Sequence, residues 1–402
     1  MKKILLLGGA MQQIPSILKA KELGYYAITC DYAPENPGHA LADAYYNVST
    51  TDREAVLSLA RSLQIDGILA YASDPAAPTA AYVAEQLGLP GNPYEGTQIL
   101  TQKDLFRDFL HKNGFNAPRA EGFDALPEAL AQWDCYKKPV MVKPVDSSGS
   151  KGVVKVEDKD RLPEAVREAL SYSRSGRFIM EEFIEKKGYQ ISGDGFSVEG
   201  KLVFTSYGNE LYSGKGTRDY VALGEFWPSE LSPGTKEKVD RELQRLITAL
   251  GMRTTAYNIE VILDQKDDVY ILELAPRSGG SYIPQLIRYA TGVDLVEYAV
   301  KGAMGEDCSD LTMRESSGFW SNYMIYSTRS GLFERLAFDP AFEKNNLLEV
   351  HLTHQPGDKV FAYQNTTHSL GTILFKASSR EEMLEITNHM ERYYQVVVQE
   401  ER

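Results

Sequence analysis

The feature that most constrains this chain is the segment Asn258–Gly280, which predicts a β-hairpin with one carboxylate in each strand. Two apolar runs with near period-two alternation, Ile259–Leu263 and Val269–Leu274, are joined by a polar turn rich in aspartate. Glu260 and Glu273 each stand where an apolar residue is expected. Antiparallel pairing would bring these like charges side by side, which is unfavourable without a counter-charge. Mg²⁺ can supply that charge, because it prefers oxygen ligands and takes one or two carboxylates together with waters and phosphates.

The residues after the second strand suit an anion. Arg277 follows Glu273 by four positions, and Gly279 and Gly280 let the backbone come close to a negatively charged group. The alternative is a surface hairpin with two solvated glutamates, and the hairpin alone leaves both interpretations open.

The composition limits the kinds of protein that this chain can be. A chain of 402 residues is too long for one ordinary core, so we expect two or three domains. The net charge of −13, without a basic tract, argues against a nucleic-acid partner. The three cysteines are scattered, so neither a disulfide framework nor a zinc site is indicated. No apolar stretch approaches about 18 residues, which predicts no membrane partner, no signal peptide and a cytoplasmic protein.

Residues 1–92 alternate predicted strands and helices, which indicates a parallel sheet covered by helices. The strands are predicted in the segments KKILLLGG, YYAITCD and DGILAYASD, and the helices at Ile14–Leu23, Arg53–Leu63 and Thr79–Leu87. Ligands bind beyond the carboxyl ends of the strands in such sheets.

Five residues at these strand ends are predicted to line a small-substrate pocket that opens onto Arg277. They are Gly9, Ala10, Gln12, Asp31 and Asp74. A dinucleotide site with Asp31 on the ribose is disfavoured, because GGAMQQ lacks the GxGxxG spacing. A purely structural strand-to-helix turn is the other alternative.

Two lysines stand in settings that suit phosphate binding. Residues 93–118 predict a capped helix with Lys103 near its middle. Lys143 ends an apolar strand, and the small-residue loop Ser147–Gly152 leads into a second strand, Val153–Val156. Such a hairpin can fold over phosphates as a flap, because its backbone N–H groups are available in the loop. An exposed mobile hairpin is the alternative interpretation.

The rest of the chain predicts further sheet structure. A strand at Phe178–Met180 leads into the hinge Glu181–Ile184, which could offer backbone groups to an adenine edge. Gln190 begins another sheet, and Thr235–Leu250 predicts a long amphipathic helix. The segment Gly318–Val398 is predicted to form a separate unit of strands with a terminal helix.

Taken in order, Lys103, Lys143 with its Ser/Gly loop, the EEFI hinge, Glu260 and the run ELAPR resemble the ATP-grasp superfamily of carboxylate–amine ligases. The resemblance spans nearly the whole chain and extends to the purine-biosynthetic and biotin carboxylase-like members. It implies a mixed α/β and α+β fold in three parts. These are an N-terminal parallel α/β (Rossmann-like) pre-ATP-grasp domain at 1–92, a two-subdomain ATP-grasp fold at 93–310 with its flap at about 120–186, and a small C-terminal α+β domain at 311–402.

The resemblance also implies roles for individual residues. Those implied for the nucleotide are Lys103 and Lys143 on the phosphates, Ser147, Ser148 and Gly149 in the flap, Glu181 and Ile184 as backbone contacts to adenine, and Gln190 on the ribose. Those implied for the metal are Glu260 and Glu273. Arg277, with Lys143, is implied to act on the transferred phosphoryl group. The predicted substrate-binding set further includes Lys215, Arg218, Gly279 and Gly280.

Two positions depart from the usual family pattern. Gln190 stands where most members have a glutamate; glutamine can hydrogen-bond a hydroxyl, but without charge. Ala275 replaces the usual asparagine and removes one oxygen ligand, although ELAPR is also the form found in N5-carboxyaminoimidazole ribonucleotide synthetases.

The resemblance implies ATP and Mg²⁺ (or Mn²⁺) as cofactors and a small-molecule carboxylate and amine as partners, and it allows a homodimer. The expected reaction is ligation of a carboxylate to an amine, or to a thiol, through an acyl phosphate. The alternatives are a purine-biosynthetic enzyme, such as phosphoribosylglycinamide synthetase or the formate-dependent transformylase, and a nucleotide-binding protein without turnover.

Overall fold

The computed structural model describes residues 1–212, 221–363 and 366–399. Lys215 and Arg218, two of the predicted substrate-binding residues, lie outside the described residues. The described part is a mixed α/β structure built on four sheets. Within these ranges, no helix is long and apolar enough to cross a membrane.

The strands and helices are numbered in chain order. The strands are β1 Lys3–Leu7, β2 Tyr26–Cys30, β3 Ala44–Tyr46, β4 Gly67–Leu69, β5 Ala120–Phe123, β6 Val140–Pro144, β7 Val154–Val156, β8 Phe178–Glu182, β9 Ile191–Val198, β10 Lys201–Tyr212, β11 Ala222–Trp227, β12 Thr255–Leu263, β13 Val269–Ala275, β14 Phe319–Ile325, β15 Gly331–Phe338, β16 Leu347–Leu352, β17 Lys359–Val360, β18 Gly371–Ala377 and β19 Tyr394–Gln399. The helices are α1 Ile14–Glu22, α2 Arg53–Leu63, α3 Ala77–Leu87, α4 Tyr94–Thr101, α5 Lys103–Lys112, α6 Leu126–Gln132, α7 Leu162–Tyr172, α8 Pro233–Ala249, α9 Ile283–Thr291, α10 Leu295–Ala303, α11 Pro340–Asn345 and α12 Arg380–Asn388.

The N-terminal sheet has the order β3-β2-β1-β4, and its strands are parallel. This confirms the predicted α/β alternation, and α2 has the predicted bounds. The prediction omitted β3, which is only three residues long and offers no run in which periodicity can be read.

The single helix predicted over residues 93–118 is wrong. The chain forms two helices, α4 and α5, separated by Gln102 in an extended conformation (φ −120°, ψ 114°). Lys103 therefore opens α5 instead of lying mid-helix. Its backbone N–H donates to Val145 O at 2.9 Å, so a contact with the segment after β6 replaces an intrahelical hydrogen bond there.

The predicted flap hairpin is part of a four-stranded antiparallel sheet of order β5-β8-β6-β7. Helices α6 and α7 cover this sheet, and their buried side chains share one apolar cluster with it, including Trp133, Val140 and Phe178.

The central sheet has eight antiparallel strands in the order β13-β12-β9-β10-β11-β14-β18-β16. The predicted hairpin forms its first two strands, and Glu260 lies directly opposite Glu273. Ile259 and Val261, on either side of Glu260, are fully buried and pack with Leu243 of α8. Burial of these two side chains stabilises the fold by about 1.5–3 kcal/mol each. Because side chains alternate between the two faces of a strand, the side chain of Glu260 points to the opposite face.

The C-terminal segment does not form a separate sheet throughout. Strands β14, β18 and β16 continue the central sheet through the pairing of β11 with β14. Strands β15, β17 and β19 form a second, three-stranded sheet. The apolar cluster on this segment includes Leu211 and Phe226 of the central strands. The boundary at residue 311 stays a prediction.

Candidate active site

A cavity of about 560 Å³ lies where the flap sheet, the central sheet and the N-terminal sheet meet. Most of the predicted site residues line it. They are Gln12, Asp74, Lys103, Lys143, Ser147, Ser148, Gly149, Glu181, Ile184, Gln190, Glu260, Glu273, Arg277 and Gly280. Residues from every part of the described chain thus converge on one space.

Of the residues predicted to line a small-substrate pocket, Gln12 and Asp74 line this cavity, whereas Gly9, Ala10 and Asp31 do not. The Asp31 carboxylate accepts hydrogen bonds from Gly9 N at 3.3 Å and from Asn36 Nδ2 at 2.8 Å. These bonds turn the carboxylate into the loop after β1, where its oxygens are already used.

The close packing of this loop explains its glycine. A Cβ added at Gly9 would lie 2.1 Å from the His39 ring, so the position accepts only glycine. The loop after β1 is a packed strand-to-helix turn, the structural alternative named above.

The carboxylates of Glu260 and Glu273 face the cavity from neighbouring strands. Burial, and then the like charges of Glu210 and Glu273, raise the pKa of Glu260 well above its usual range. Gln190 Nε2 donates to Glu260 Oε2 at 3.0 Å, so its amide serves this carboxylate rather than standing apart as a ribose contact. The raised pKa shows that the positive charges of Lys103 and Lys143 do not offset burial and the neighbouring carboxylates.

The donor set fits a magnesium ion. Two carboxylates side by side on one cavity wall match an ion that takes one or two carboxylates and completes its shell with water and phosphate. Across residues 1–212, 221–363 and 366–399, no group of three or more His, Cys, Asp or Glu side chains could enclose a metal. Glu260 and Glu273 would therefore hold the ion in an open site.

Opposite this pair, basic side chains lie between the flap and α5. Lys103 Nζ donates to Ser147 O at 2.7 Å, which ties α5 to the flap loop. Lys143 and Arg107 both pair with the buried carboxylate of Glu181, and the Arg107 Nε to Glu181 Oε2 distance is 2.9 Å. Burial alone would raise the pKa of Glu181, but these two cations outweigh it and lower the pKa to about 2. Glu181 is thus an anchor that fixes Lys143 at the cavity wall.

The predicted adenine contact at Glu181 needs correction. Its backbone lies inside β8, between β5 and β6. Phe183 N still donates to Pro139 O at 3.0 Å, so the chain leaves the sheet only near Ile184. Backbone groups for an adenine edge are therefore better placed at the end of the hinge than at Glu181.

The flap loop Ser147–Gly152 has a backbone suited to anions. Gly149, Ser150 and Gly152 have φ values of +67°, +55° and +68°, in the left-handed region. Alternation of left-handed with other conformations turns successive N–H groups toward a common concavity, the arrangement that binds phosphate. Ser150 is the one residue of these three that is not glycine, so its left-handed backbone conformation is strained.

Arg277 is nine-tenths buried and is held by the N-terminal sheet. Its Nε and one terminal nitrogen donate to the two Asp74 oxygens, each at 2.7 Å, and it also lies 3.8 Å from Glu273. Burial lowers the pKa of Arg277, but Asp74 outweighs burial and raises it, so the guanidinium stays charged. Asp194 accepts hydrogen bonds from Gly279 N at 2.8 and 3.1 Å and so fixes the loop after Arg277. Gly279 serves this backbone contact and does not line the cavity.

Sequence reasoning missed two acidic residues that line the cavity, Glu210 and Glu225, and the buried Asp194 that holds the loop after Arg277. All three are carboxylates inside predicted sheet structure, and this is the signal that could have found them. Burial comes first among the causes that raise the pKa of Asp194 and Glu225 to about 7 and of Glu210 to about 8. Their convergence depends on the strand order of the sheet, which the sequence does not reveal.

The ATP-grasp domain family matches residues 136–285, which span the flap hairpin, Glu260, Glu273 and Arg277. Among relatives, the protein y4rH of Sinorhizobium fredii is 26% identical over 344 residues, covering 83% of this chain and 69% of that one. The carbamoyl phosphate synthase large chain of Thermotoga neapolitana is 25% identical over 315 residues, covering 77% of this chain. The match spans only 27% of that synthase chain.

Solved structures share the fold over the whole length. The L-amino acid ligase from Bacillus licheniformis superposes with a TM-score of 0.84 at 23% identity, covering 99% of each chain. The phosphoribosylglycinamide synthetase from Anaerococcus prevotii gives a TM-score of 0.77 at 21% identity, covering 99% of this chain and all of that one. At these identities the likeness is one of fold.

Proposed function

Because residues 136–285 form an ATP-grasp domain, we propose that the chain is an ATP-dependent ligase that joins a small-molecule carboxylate to an amine. ADP and phosphate are its other products. The observation that carries this proposal is the cavity itself. One wall holds the paired carboxylates Glu260 and Glu273, and the facing wall holds Lys143 and the flap loop.

The chemistry needs positioning and charge neutralisation more than a nucleophilic side chain. An oxygen of the substrate carboxylate attacks the γ-phosphorus, the bond to the β-phosphate oxygen breaks, and ADP leaves. The amine nitrogen then attacks the acyl carbon, the bond to the phosphate oxygen breaks, and the nitrogen gives up its extra protons.

The chain's own residues have distinct tasks in these steps. Lys103 and Lys143 bind phosphate oxygens, and the backbone of Ser147–Gly149 covers them. Arg277, kept charged and oriented by Asp74, faces the phosphoryl group during transfer. Mg²⁺, held by Glu260 and Glu273, would neutralise the phosphate charge.

The test is ADP release in the presence of Mg²⁺ and a panel of carboxylates, each with and without an amine. We expect ADP to form with at least one acid and a C–N bonded product to form when the amine is added. Tight nucleotide binding without ADP release in any combination would instead favour a binding protein without turnover. Product formation with thiols and not with amines would favour a carboxylate–thiol ligase.

A purine-biosynthetic role is the second candidate, because the fold of phosphoribosylglycinamide synthetase covers 99% of this chain. Such a substrate carries a ribose 5-phosphate, which needs donors for its phosphate. The loop after β1 is the predicted location, but Gly9 N already donates to Asp31. ADP release with phosphoribosylamine and glycine, and with no other pair, would favour this candidate.

The remaining expectations belong to the same proposal. The domain boundaries after residues 92 and 310 are proposed from the resemblance. A cytoplasmic location and a homodimer are compatible with a ligase of small metabolites. Size-exclusion chromatography with light scattering tests the oligomeric state.

A further inference from the structure

Two acidic residues outside the proposed metal pair lie side by side on neighbouring strands of the central sheet. Glu210 of β10 and Glu225 of β11 are direct antiparallel partners. Residues opposite each other in such a pair have Cβ atoms about 4.5–5.5 Å apart, so their like charges repel. Both side chains line the cavity. No step of the proposed reaction has yet used them.

Both carboxylates are buried, and one of their oxygens lacks a hydrogen-bond partner. Glu210 is 7% exposed and Glu225 is 8% exposed. Tyr212 Oη donates to Glu210 Oε2 at 2.7 Å, whereas Glu225 Oε2 is buried without any hydrogen-bond partner. A buried, unsatisfied carboxylate oxygen is costly, so its retention at a cavity wall indicates a ligand that supplies a donor.

The charge around the pair indicates a cationic ligand. Among the described residues that line the cavity, Lys103, Lys143 and Arg277 lie with the proposed phosphate site and have carboxylate or backbone partners of their own. Lys186 is the described cation near Glu210, and it stacks on the Tyr212 ring at 4.5 Å. The carboxylate of Glu225 has hydrogen-bond partners in Asn322 and Ser192 but no cation beside it among the described residues.

The pair lies beside the place where phosphoryl transfer is proposed. Glu260 is opposite Ser192, and Ser192 is opposite Gly208, two residues before Glu210 on the same face of β10. In the strand order β12-β9-β10-β11, Glu210 is two and Glu225 three strand spacings from Glu260, about 10 and 14 Å across the sheet. All three side chains line the same cavity, so a small nucleophile held by Glu210 and Glu225 opens onto the space beside the metal carboxylates.

We propose that Glu210 and Glu225 together bind the ammonium group of the amine substrate. This inference rests on the proposed ligase function and names the substrate class of its second half-reaction. The ammonium donates to Glu225 Oε2 and to Glu210, and its positive charge offsets the repulsion between the two carboxylates. A substrate that presents a phosphate or a carboxylate to this wall is repelled.

The cavity beyond the pair indicates the rest of the amine. Three uncharged residues that also line the cavity are Met324, Tyr282 and Thr372. Tyr282 stacks on His351, with ring centroids 3.7 Å apart, and so forms a rigid aromatic wall. A primary amine with a short, uncharged body suits these surroundings.

The first experiment separates acyl-phosphate formation from amine binding. Hydroxylamine is uncharged at neutral pH and traps acyl phosphates as hydroxamates, so it does not need an ammonium site. Wild type, Glu210→Gln and Glu225→Gln are compared, with Glu121→Gln on the exposed face of β5 as the matched control. Hydroxamate formation by the two cavity variants should stay within about threefold of wild type, since the loss of one carboxylate affects only the amine.

The second experiment replaces hydroxylamine with glycinamide, ethanolamine or L-alanine. Each cavity variant should raise the KM for the amine about tenfold to a hundredfold, with the KM for ATP nearly unchanged, because a charged hydrogen bond is lost. Unchanged amine KM values in both variants would overturn the inference. Equal loss of hydroxamate formation would also overturn it, because the pair would then serve the metal or the phosphoryl transfer.

A third measurement does not depend on turnover. Calorimetry with glycinamide, ethanolamine and L-alanine is carried out on the protein saturated with Mg²⁺ and a non-hydrolysable ATP analogue. Binding to wild type and its loss in Glu225→Gln support the inference, and absence of binding of all three amines to wild type overturns it. If wild type forms no hydroxamate with any acid yet binds glycinamide through Glu225, the ligase proposal fails while the ammonium site stands.

Discussion

Arg277 and Asp74 form a bidentate ion pair that joins the loop after β13 to the loop after β4 of the N-terminal sheet, with both N–O distances at 2.7 Å. Burial raises the pKa of Asp74, but Arg277 outweighs it and the pKa lies below its usual range. The pair therefore stays ionised, and the first part of the chain sets the orientation of a side chain proposed to act on phosphate.

Asp74→Asn should lower kcat/KM for the carboxylate about tenfold to a hundredfold, because loss of a charged hydrogen bond releases the guanidinium. The KM for ATP should change little. Steady-state kinetics with ADP release as the readout checks this. Asp31→Asn is the matched control, since Asp31 lies in the packed loop outside the cavity, and it should keep near-normal kinetics. Equal kinetics for Asp74→Asn and wild type would remove Asp74 from the mechanism.

Glu273→Gln should abolish Mg²⁺-dependent ADP release while leaving the fold intact. The substitution removes an oxygen ligand of the proposed metal and also relieves the repulsion with Glu260. The thermal midpoint without metal should therefore equal or exceed that of wild type, and added Mg²⁺ with nucleotide should raise it less. Near-normal turnover in this variant would show that the two carboxylates do not hold the metal.

The flap loop should become ordered when nucleotide binds. Amide hydrogen exchange across Ser147–Gly152 should slow about tenfold with Mg²⁺ and a non-hydrolysable ATP analogue, because the loop N–H groups gain phosphate partners. Strand β18 serves as the internal control and should exchange at the same rate in both states. Equal exchange in the loop with and without nucleotide would contradict the phosphate role.

Stability without metal should fall as the pH rises from about 5 to about 7. Burial first, and then the charges of Glu260 and Asp194, raise the pKa of Glu225 to about 7 from an ordinary value of 4.5. A carboxyl whose folded pKa is raised binds its proton more tightly in the folded state. Its contribution to stability is complete below the unfolded pKa and is lost as the pH rises through the folded one.

The free energy of unfolding of Glu225→Gln should therefore decline less with pH than that of wild type. Between pH 5 and pH 8 the variant should gain roughly 1–3 kcal/mol of stability relative to wild type. Urea unfolding in EDTA at the two pH values measures the difference. Parallel declines for variant and wild type would mean that Glu225 titrates normally. Glu121→Gln is again the control.

Much of the site could be predicted because its residues break local patterns. Glu260 interrupts an alternating strand, and Lys143 ends an apolar run beside a loop of serines and glycines. The alternation of strands and helices predicted the parallel N-terminal sheet, and periodicity gave α2 its observed bounds. These signals depend on side chains a few positions apart, where the geometry of one strand or helix fixes the relation between residues.

Other parts depended on contacts that no local pattern encodes. The break before Lys103 arises from a hydrogen bond to Val145, and the exclusion of Asp31 from the cavity arises from its bonds to the loop after β1.

The sequence by itself determined the strands of the N-terminal sheet other than β3, the hairpin of β12 and β13 and its paired carboxylates, since period-two burial turns Glu260 and Glu273 to one face of the sheet. Only the tertiary structure decided that Glu210 meets Glu225 and that Asp74 holds Arg277. Asp74 and Arg277 are 203 positions apart, and Glu210 and Glu225 lie on consecutive strands whose register no local pattern gives. Both pairings follow from strand order and from the packing of whole sheets, which depend on many weak contacts summed over the fold rather than on any single segment.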